Sequence, residues 1–442
     1  MRLLSTVQTD NVHIPSLLLI VIIVLTPVVL IFDGTAVYAL LLALAAVGVA
    51  FAALYMPSDE ARRLQKLILP ATILTAVPAL WMLVQIAPFP FSQLTHPIWQ
   101  SAATALGGST RAAISIDPGA STLSFSKYIS SVGIFLLAAM TGADRRSAKW
   151  SLYTLTATTT LISVFFLCFD LFDLKYFHLL DNSAKRADAL DAAAFGLILS
   201  TSTGTRIYER EEMRLTQRPH VGFRRNLALC AAAFVFCLTA LILGRSKVIG
   251  YAALYGLGAI LAITLIRRLN LGGWGLMGFV AIAILGAVAI FATSSGNSDS
   301  DLTLILGSQS RESTLTARQI LSDAPLLGTG AGTYAALVPI YRTSDENQQE
   351  SIVPTAAAAI SVELGRPMLW YTFVGLAIGS LVLFQGALRR GRDSYYPAAG
   401  TACLIASYFL LLGNPGLLSA ASASLAAATV GLATSQSQSS RV

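Results

Sequence analysis

The sequence predicts an all-α, polytopic membrane protein with about twelve transmembrane helices and one large loop on a single side of the membrane. Of its 442 residues, 55% are hydrophobic and only 12% charged, against roughly 45–50% and about 25% in a soluble domain. Apolar runs near the ~20 residues needed to cross a hydrocarbon core recur along the chain. The basic residues alternate between the two sides of those runs, as they do in membrane proteins with cytoplasmic positive loops.

The clear runs lie near 14–32, 35–56, 67–87, 150–172, 225–243, 248–266, 274–293, 367–388, 396–413 and 416–434. Stretches 128–141 and 191–204 are shorter or richer in small and hydroxyl residues, and including them gives about twelve spans. The first run, His13 to Phe32, is too long for a signal-peptide core, follows a single basic residue and precedes no small-residue cleavage site, so it reads as a span. With both termini inside, nineteen of the 30 Lys and Arg residues fall inside, in segments such as Arg62 to Lys66, Arg145 to Lys149, Arg206 to Arg225, Arg267–Arg268 and Arg389 to Arg392. Leaving out the two weaker stretches would strand Arg145 to Lys149 on the other side.

This divides the chain into a membrane unit over 1–293, with about nine transmembrane helices and an outside loop at 88–127, a large outside loop at 294–366, C-terminal transmembrane helices at 367–434 and a disordered polar tail at 435–442. The four cysteines, Cys168, Cys230, Cys237 and Cys403, all lie in apolar runs where a thiol behaves as a small hydrophobe. The formal charge of +7 is spread through short loops without interleaved aromatics. That pattern fits anionic lipid headgroups as the partner rather than nucleic acid.

Arg245 and Lys247 break the alternation, since they fall on a short outside turn between two apolar runs, LILGRSKVIGYA. Basic side chains at a span boundary can snorkel to headgroups. They can equally hold an anion at the outer face, the Arg fork matching a phosphate and the Lys acting as a point charge.

Of the outside loops, 88–127 carries the prolines and aromatics of PFPFSQLTHPIWQ and then ISIDPGASTLSFSKY, a composition suited to a rim at the membrane surface. The 294–366 loop alone has a soluble composition. Within it Leu315, Ile320 and Leu321 mark a short amphipathic helix ending at Asp323, Ala324 and Pro325. Gly328, Gly330 and Gly332 follow, and alternating glycines let a backbone turn tightly or approach a ligand closely. Arg311 and Arg318, seven residues apart, share a helix face, where they either hold an anion or pair with Glu312 and Asp323.

In order along the chain, Ile114 to Ser121 (ISIDPGAS), Arg245 in GRSK, Arg311, Pro325-Leu-Leu-Gly328-Thr-Gly330-Ala-Gly332-Thr-Tyr334 and Glu363-Leu-Gly365 resemble the O-antigen ligase and polymerase family. The resemblance implies a GT-C-like helical membrane fold in the bacterial inner membrane, with the active face periplasmic. It also implies transfer of a glycan from undecaprenyl pyrophosphate to a hydroxyl of a lipid A core or glycan acceptor, by an inverting glycosyltransferase that uses no metal and no cofactor. Arg245, Lys247, Arg311 and Arg318 would bind the pyrophosphate, whose charge grows as the glycosidic bond breaks.

The sequence departs from the family at two motifs. The His-Asn pair that members carry shortly before E-x-G is Pro354-Thr355 here, and an N-x-N motif is replaced by DALDAAAFG, with Asp188 and Asp191 the nearest polar groups. Of the histidines only His96 and His178 are expected outside. A general base must reach the proton it removes, so Glu363 or His178 is the candidate, although a carboxylate at Glu363 also suits a helix start. Two other readings stay open: a family member that serves polysaccharide assembly or export without transfer activity, and a secondary transporter. The second is disfavoured by the lack of a repeat between the halves and by charge gathered at one face.

Overall fold

The computed structural model describes residues 13–32, 34–56, 58–88, 95–108, 112–172, 183–212, 221–269, 319–341, 355–390 and 393–437. The expected span at 274–293, residues 294–318 and 342–354 of the large loop, 438–442 of the tail, and with them His178, Arg311 and Arg318, lie outside the described residues.

Secondary structure among the described residues is helical, apart from a single bridge between Pro88 and Ala113. The helices are α1 (His13–Ile31), α2 (Thr35–Tyr55), α3 (Ser58–Ile86), α4 (Ile98–Leu106), α5 (Pro118–Thr141), α6 (Arg145–Leu171), α7 (Ser183–Glu212), α8 (Val221–Leu243), α9 (Lys247–Leu269), α10 (Tyr334–Tyr341), α11 (Ala356–Glu363), α12 (Arg366–Arg389), α13 (Tyr395–Gly413) and α14 (Ala420–Ser435). Among the described residues nine of these, α1, α2, α3, α5, α6, α8, α9, α12 and α13, are long and apolar enough to cross a membrane. The chain is a multi-pass membrane protein. Its bundle turns Leu17, Leu54, Leu80, Leu229, Leu254 and Leu261 outward, a distribution suited to lipid rather than water.

The two stretches with weak hydropathy owe it to different causes. Residues 128–141 are the second half of α5, which begins at Pro118, ten residues earlier than the hydropathy boundary. Asp117 caps it by accepting from the N–H groups of Gly119 (2.9 Å) and Ala120 (3.0 Å), and Pro118 occupies the first turn. Its early hydroxyls turn back to the helix, Thr122 to the Pro118 carbonyl at 2.8 Å and Ser130 to that of Ser126 at 2.7 Å, so polar residues do not interrupt it.

Residues 191–204 belong to α7, which is the centre of the bundle. Every residue from Asp188 to Ser200 is buried. Small residues allow this: a β-carbon on Gly196 would press on Cys237 and Thr159, so the neighbouring helices come close to the α7 backbone. The alanine-rich α14 is likewise sunk against α5, where a β-carbon on Gly431 would overlap the Phe135 carbonyl. A helix that faces only other helices has no need of the long apolar side chains that hydropathy detects.

Contacts at the helix ends define two faces of the bundle. At one, Lys185 at the start of α7 donates to the Ile31 carbonyl ending α1 (2.7 Å), and Arg186 pairs with Asp170 near the end of α6 (2.6 Å). At the other, Arg267 at the end of α9 meets Glu209 near the end of α7 (3.4 Å), Arg145 opening α6 meets Asp393 just before α13 (3.5 Å), and Gln436 after α14 bonds both Arg390 and the Gly142 carbonyl that follows α5. Helices α7 and α14 therefore run from one face to the other alongside the nine more apolar ones. The second face carries Arg145, Arg146, Lys149, Arg267, Arg268 and Arg389; the first carries the glycine loop.

Candidate functional site

The glycine loop, the E-L-G turn and the ISIDPGAS segment fold onto one another. Gly328, Gly330, Gly332 and Gly365 all have positive φ (81°, 110°, 76° and 94°), a region that L side chains rarely adopt. Space enforces glycine as well. A β-carbon on Gly328 would overlap the Glu363 carbonyl, one on Gly330 would overlap Ser115, one on Gly332 would overlap Ser124, and one on Gly365 would overlap the Leu326 carbonyl. The Thr329 and Gly330 N–H groups donate to the carbonyls of Val362 (2.9 Å) and Glu363 (3.0 Å), while Ile116 N–H donates to the Thr329 carbonyl (2.9 Å).

Two side chains from the end of α3 lock this seam. Gln85, fully buried, donates through Nε2 to the carbonyls of Leu327 (3.0 Å) and Glu363 (2.9 Å), and Trp81 Nε1 donates to the Leu364 carbonyl (2.9 Å). Ser115 completes it, with its N–H on the Gln85 carbonyl (3.0 Å) and its hydroxyl 2.7 Å from that of Ser121. The sequence reading missed Gln85 and Trp81. A lone amide ending the apolar run WMLVQI was the available signal, since polar side chains in membrane helices are there to bond neighbours.

Glu363 is the last residue of α11, not the first of α12. Its carboxylate reaches across to the opening of α10, where the Tyr334 N–H donates to Oε1 (3.2 Å) and the Gly332 N–H also bonds it. The alternative of a carboxylate at a helix start is thus met on α10 rather than on its own helix, and the partial positive charge there supports the anion. Desolvation nevertheless dominates and pushes its pKa up to about 7 from an ordinary 4.5; the two N–H bonds and the nearby Lys127 ammonium oppose the rise. Lys127, from α5, lies 4.2 Å over the ring of Tyr38. A carboxyl that titrates near neutrality, next to an ammonium and fixed by backbone donors, can take a proton from a hydroxyl brought within hydrogen-bond reach of it.

Arg245 and Lys247 share the turn from α8 to α9 at the same face of the bundle, and both are exposed. The turn is tight because Gly244 lets it close on Leu190 of α7, whose side chain would collide with a β-carbon there. Arg245 itself has φ of 51°, which costs a non-glycine residue roughly 1–2 kcal/mol. Ion pairs among the described residues involve neither cation. The turn is linked to Glu363 indirectly: Leu190 lies beside Asp191, Asp191 bonds Asn414 (2.5 Å), the Asn414 carbonyl accepts from the Ala356 N–H (3.1 Å), and α11 runs from Ala356 to Glu363. Glycines 328, 330 and 332 and Glu363 are therefore in mutual contact, whereas Arg245 and Lys247 share their face of the bundle without touching them.

Of the Pro354-Thr355 pair, Pro354 lies outside the described residues and Thr355 has a structural part. Thr355 caps α11 by accepting from the Ala358 N–H (3.0 Å), and Ala356 to Ala359 are buried. His96 accepts from the Ile98 N–H through Nδ1 (3.3 Å) at the start of α4, and burial lowers its pKa. Among the described residues no group of three or more His, Cys, Asp and Glu side chains is arranged to hold a metal. A scan against protein-family models finds no match for this chain, and a search of curated proteins finds none.

Proposed function

We propose that the chain is a glycan transferase of the O-antigen ligase and polymerase type, taking its donor from undecaprenyl pyrophosphate. The observation that carries the reading is Glu363, a carboxyl with a pKa of about 7 held by backbone donors beside Lys127, on the face of the bundle that also bears the exposed Arg245 and Lys247. The basic opposite face is cytoplasmic by the positive-inside rule; the family resemblance implies the bacterial inner membrane, which makes the glycine-loop face periplasmic. The eleven described helices that run between the faces, with the expected span at 274–293, make twelve, and both termini are cytoplasmic.

In this reaction Glu363 removes the proton from the acceptor hydroxyl as its oxygen attacks the anomeric carbon. The bond from that carbon to the pyrophosphate oxygen breaks on the opposite side, which inverts the configuration. The departing pyrophosphate gains negative charge, and Arg245 and Lys247, with Arg311 and Arg318 expected from the large loop, stabilise it more in the transition state than in the ground state. The acceptor is a lipid A core or a second glycan. Assistance to polysaccharide export without transfer is the second reading, favoured by Pro354, which stands where the resembled family carries the histidine taken as its base or acceptor-orienting group, and by Thr355, in place of the asparagine, whose hydroxyl caps α11.

Complementation of strains lacking their own surface-polysaccharide ligase or polymerase tests this, read as the glycan ladder on a gel. Wild type restores the ladder, while Glu363→Gln and Arg245→Ala at equal expression do not. Failure of wild type in strains that supply matching donor and acceptor would favour the non-catalytic reading.

A further inference from the structure

Helix α3 carries Pro78 inside its membrane span, which covers Ile68–Ile86. Proline has no N–H for the carbonyl four residues back, here that of Leu74, and its ring crowds that oxygen. The interior of a bilayer holds no water to serve it, so a neighbouring helix has to supply the missing donor. Tyr371 of α12 does so, its hydroxyl donating to the Leu74 carbonyl at 2.8 Å. The hydroxyl of Tyr128 of α5 donates to the next carbonyl, that of Thr75, also at 2.8 Å. Thr75 turns its own hydroxyl back to the carbonyls of Ala71 and Thr72, both at 3.1 Å.

Beyond the proline, Trp81 and Gln85 follow at three and seven residues, the spacing that puts them on one helix face. These are the two side chains that donate to the carbonyls of Leu364, Leu327 and Glu363. Tyr371 belongs to the same stretch of chain, since α12 starts at Arg366, just after Leu364 and Gly365. The segment from Glu363 to Tyr371 is thus tied to α3 on both sides of the proline, by Tyr371 before it and by Trp81 and Gln85 after it. On its other side α3 turns Ile73, Val77, Leu80 and Leu83 outward. Only one side of this helix is held, and side-chain bonds to backbone carbonyls do much of the holding.

We propose that Tyr371 is a positioning residue for the Glu363 seam: it takes the carbonyl that Pro78 leaves without a donor, and so fixes the direction in which the last turns of α3 bring Trp81 and Gln85 to that seam. Tyr371 acts through α3 and does not bond the carboxylate itself. Its effect on transfer rests on the reading of Glu363 as the base, whereas its hold on α3 and the seam does not.

The test begins with a double-mutant cycle in the melting of the purified full-length chain in detergent. Tyr371→Phe leaves the Leu74 carbonyl without its donor and lowers the melting temperature by a few degrees. In Pro78→Ala the new N–H serves that carbonyl, so Tyr371→Phe costs much less in that background. Equal losses in the two backgrounds would overturn the pairing of proline and tyrosine. The second readout needs Tyr371→Phe alone and no substrate: amide exchange at Thr329 and Gly330, whose N–H groups close the seam on the carbonyls of Val362 and Glu363. Exchange there quickens roughly tenfold, because a loosened α3 lets the seam open more often. Tyr408→Phe, which removes a hydroxyl that bonds nothing among the described residues, is the control and leaves it unchanged. Exchange at wild-type rates in Tyr371→Phe, even with a lower melting temperature, would reduce the tyrosine to a local support and overturn the positioning role. In transfer, Tyr371→Phe lowers turnover about tenfold with the donor KM little changed, and full turnover would contradict the proposal. Absence of transfer by wild type counts against the reading of Glu363 as the base, and the melting and exchange results then decide the positioning by themselves.

Discussion

A β-carbon placed on Gly328 would overlap the carbonyl oxygen of Glu363, so the glycine loop and the end of α11 meet backbone to backbone. That contact puts the N–H groups of Gly332 and Tyr334 on the Glu363 carboxylate. The loop is thus a mould for one acidic side chain, and its glycines serve that fit rather than a phosphate.

Gly328→Ala should be severely disruptive, because it combines a φ of 81° with an overlap against rigid backbone. The expected loss is about 2–4 kcal/mol, at the high end for a single substitution. Thermal melting in detergent measures it, and Gly258→Ala, in open space on α9, is the control expected to change little.

Glu363 sets two opposite pH dependences. Its folded pKa of about 7 stands above the ordinary 4.5, so the fold favours the protonated carboxyl. The resulting stability is fully present below about pH 4.5 and is lost as pH rises to 7. Transfer needs the ionised base and so climbs with pH to a plateau above about 7. Glu363→Gln should flatten the stability profile between those values and lower transfer by about 10²–10⁴-fold.

Gln85→Leu keeps the side chain's bulk but leaves the Leu327 carbonyl without its donor and the Glu363 carbonyl with the Gly330 N–H alone. A cost of roughly 1–3 kcal/mol is expected for the orphaned Leu327 carbonyl. The carboxylate itself stays in place, so melting temperature should fall more than the pH midpoint of activity moves.

Much of the membrane architecture was legible because lipid-facing helices such as α2 and α8 must be apolar along their length. The centre was harder to read. Helix α7 is lined with Ala, Ser and Thr because other helices surround it, and hydropathy cannot distinguish that environment from a weak span. The glycine loop and Glu363 stood out in sequence through spacing alone. Gln85, Trp81, Lys127 and Asn414 did not, since each gains its role from partners far away in the chain, Gln85 from Leu327 and Glu363, Asn414 from Asp191. The position of Glu363 at the end of α11, rather than the start of α12, follows from Gly365 with φ of 94°, which breaks the chain between the two helices.

Arg245 separates stability from function. Arg245→Gly relieves the left-handed backbone strain while freeing the unfolded chain, so stability should stay within about 1 kcal/mol of wild type. Loss of the guanidinium should lower transfer by about 10²–10³-fold, the usual effect of removing one transition-state charge partner. Paired melting and complementation measurements on this one variant check both.

The most direct measurement is release of undecaprenyl pyrophosphate by the purified protein, given a lipid-linked glycan donor with and without its acceptor glycan, followed across pH 5 to 9 for wild type and Glu363→Gln. Acceptor-dependent release with a midpoint near pH 7 in wild type, and its loss in Glu363→Gln, is the predicted result. Release that is unchanged in Glu363→Gln, or no release from matched donor and acceptor, would contradict a transferase that works through this carboxylate.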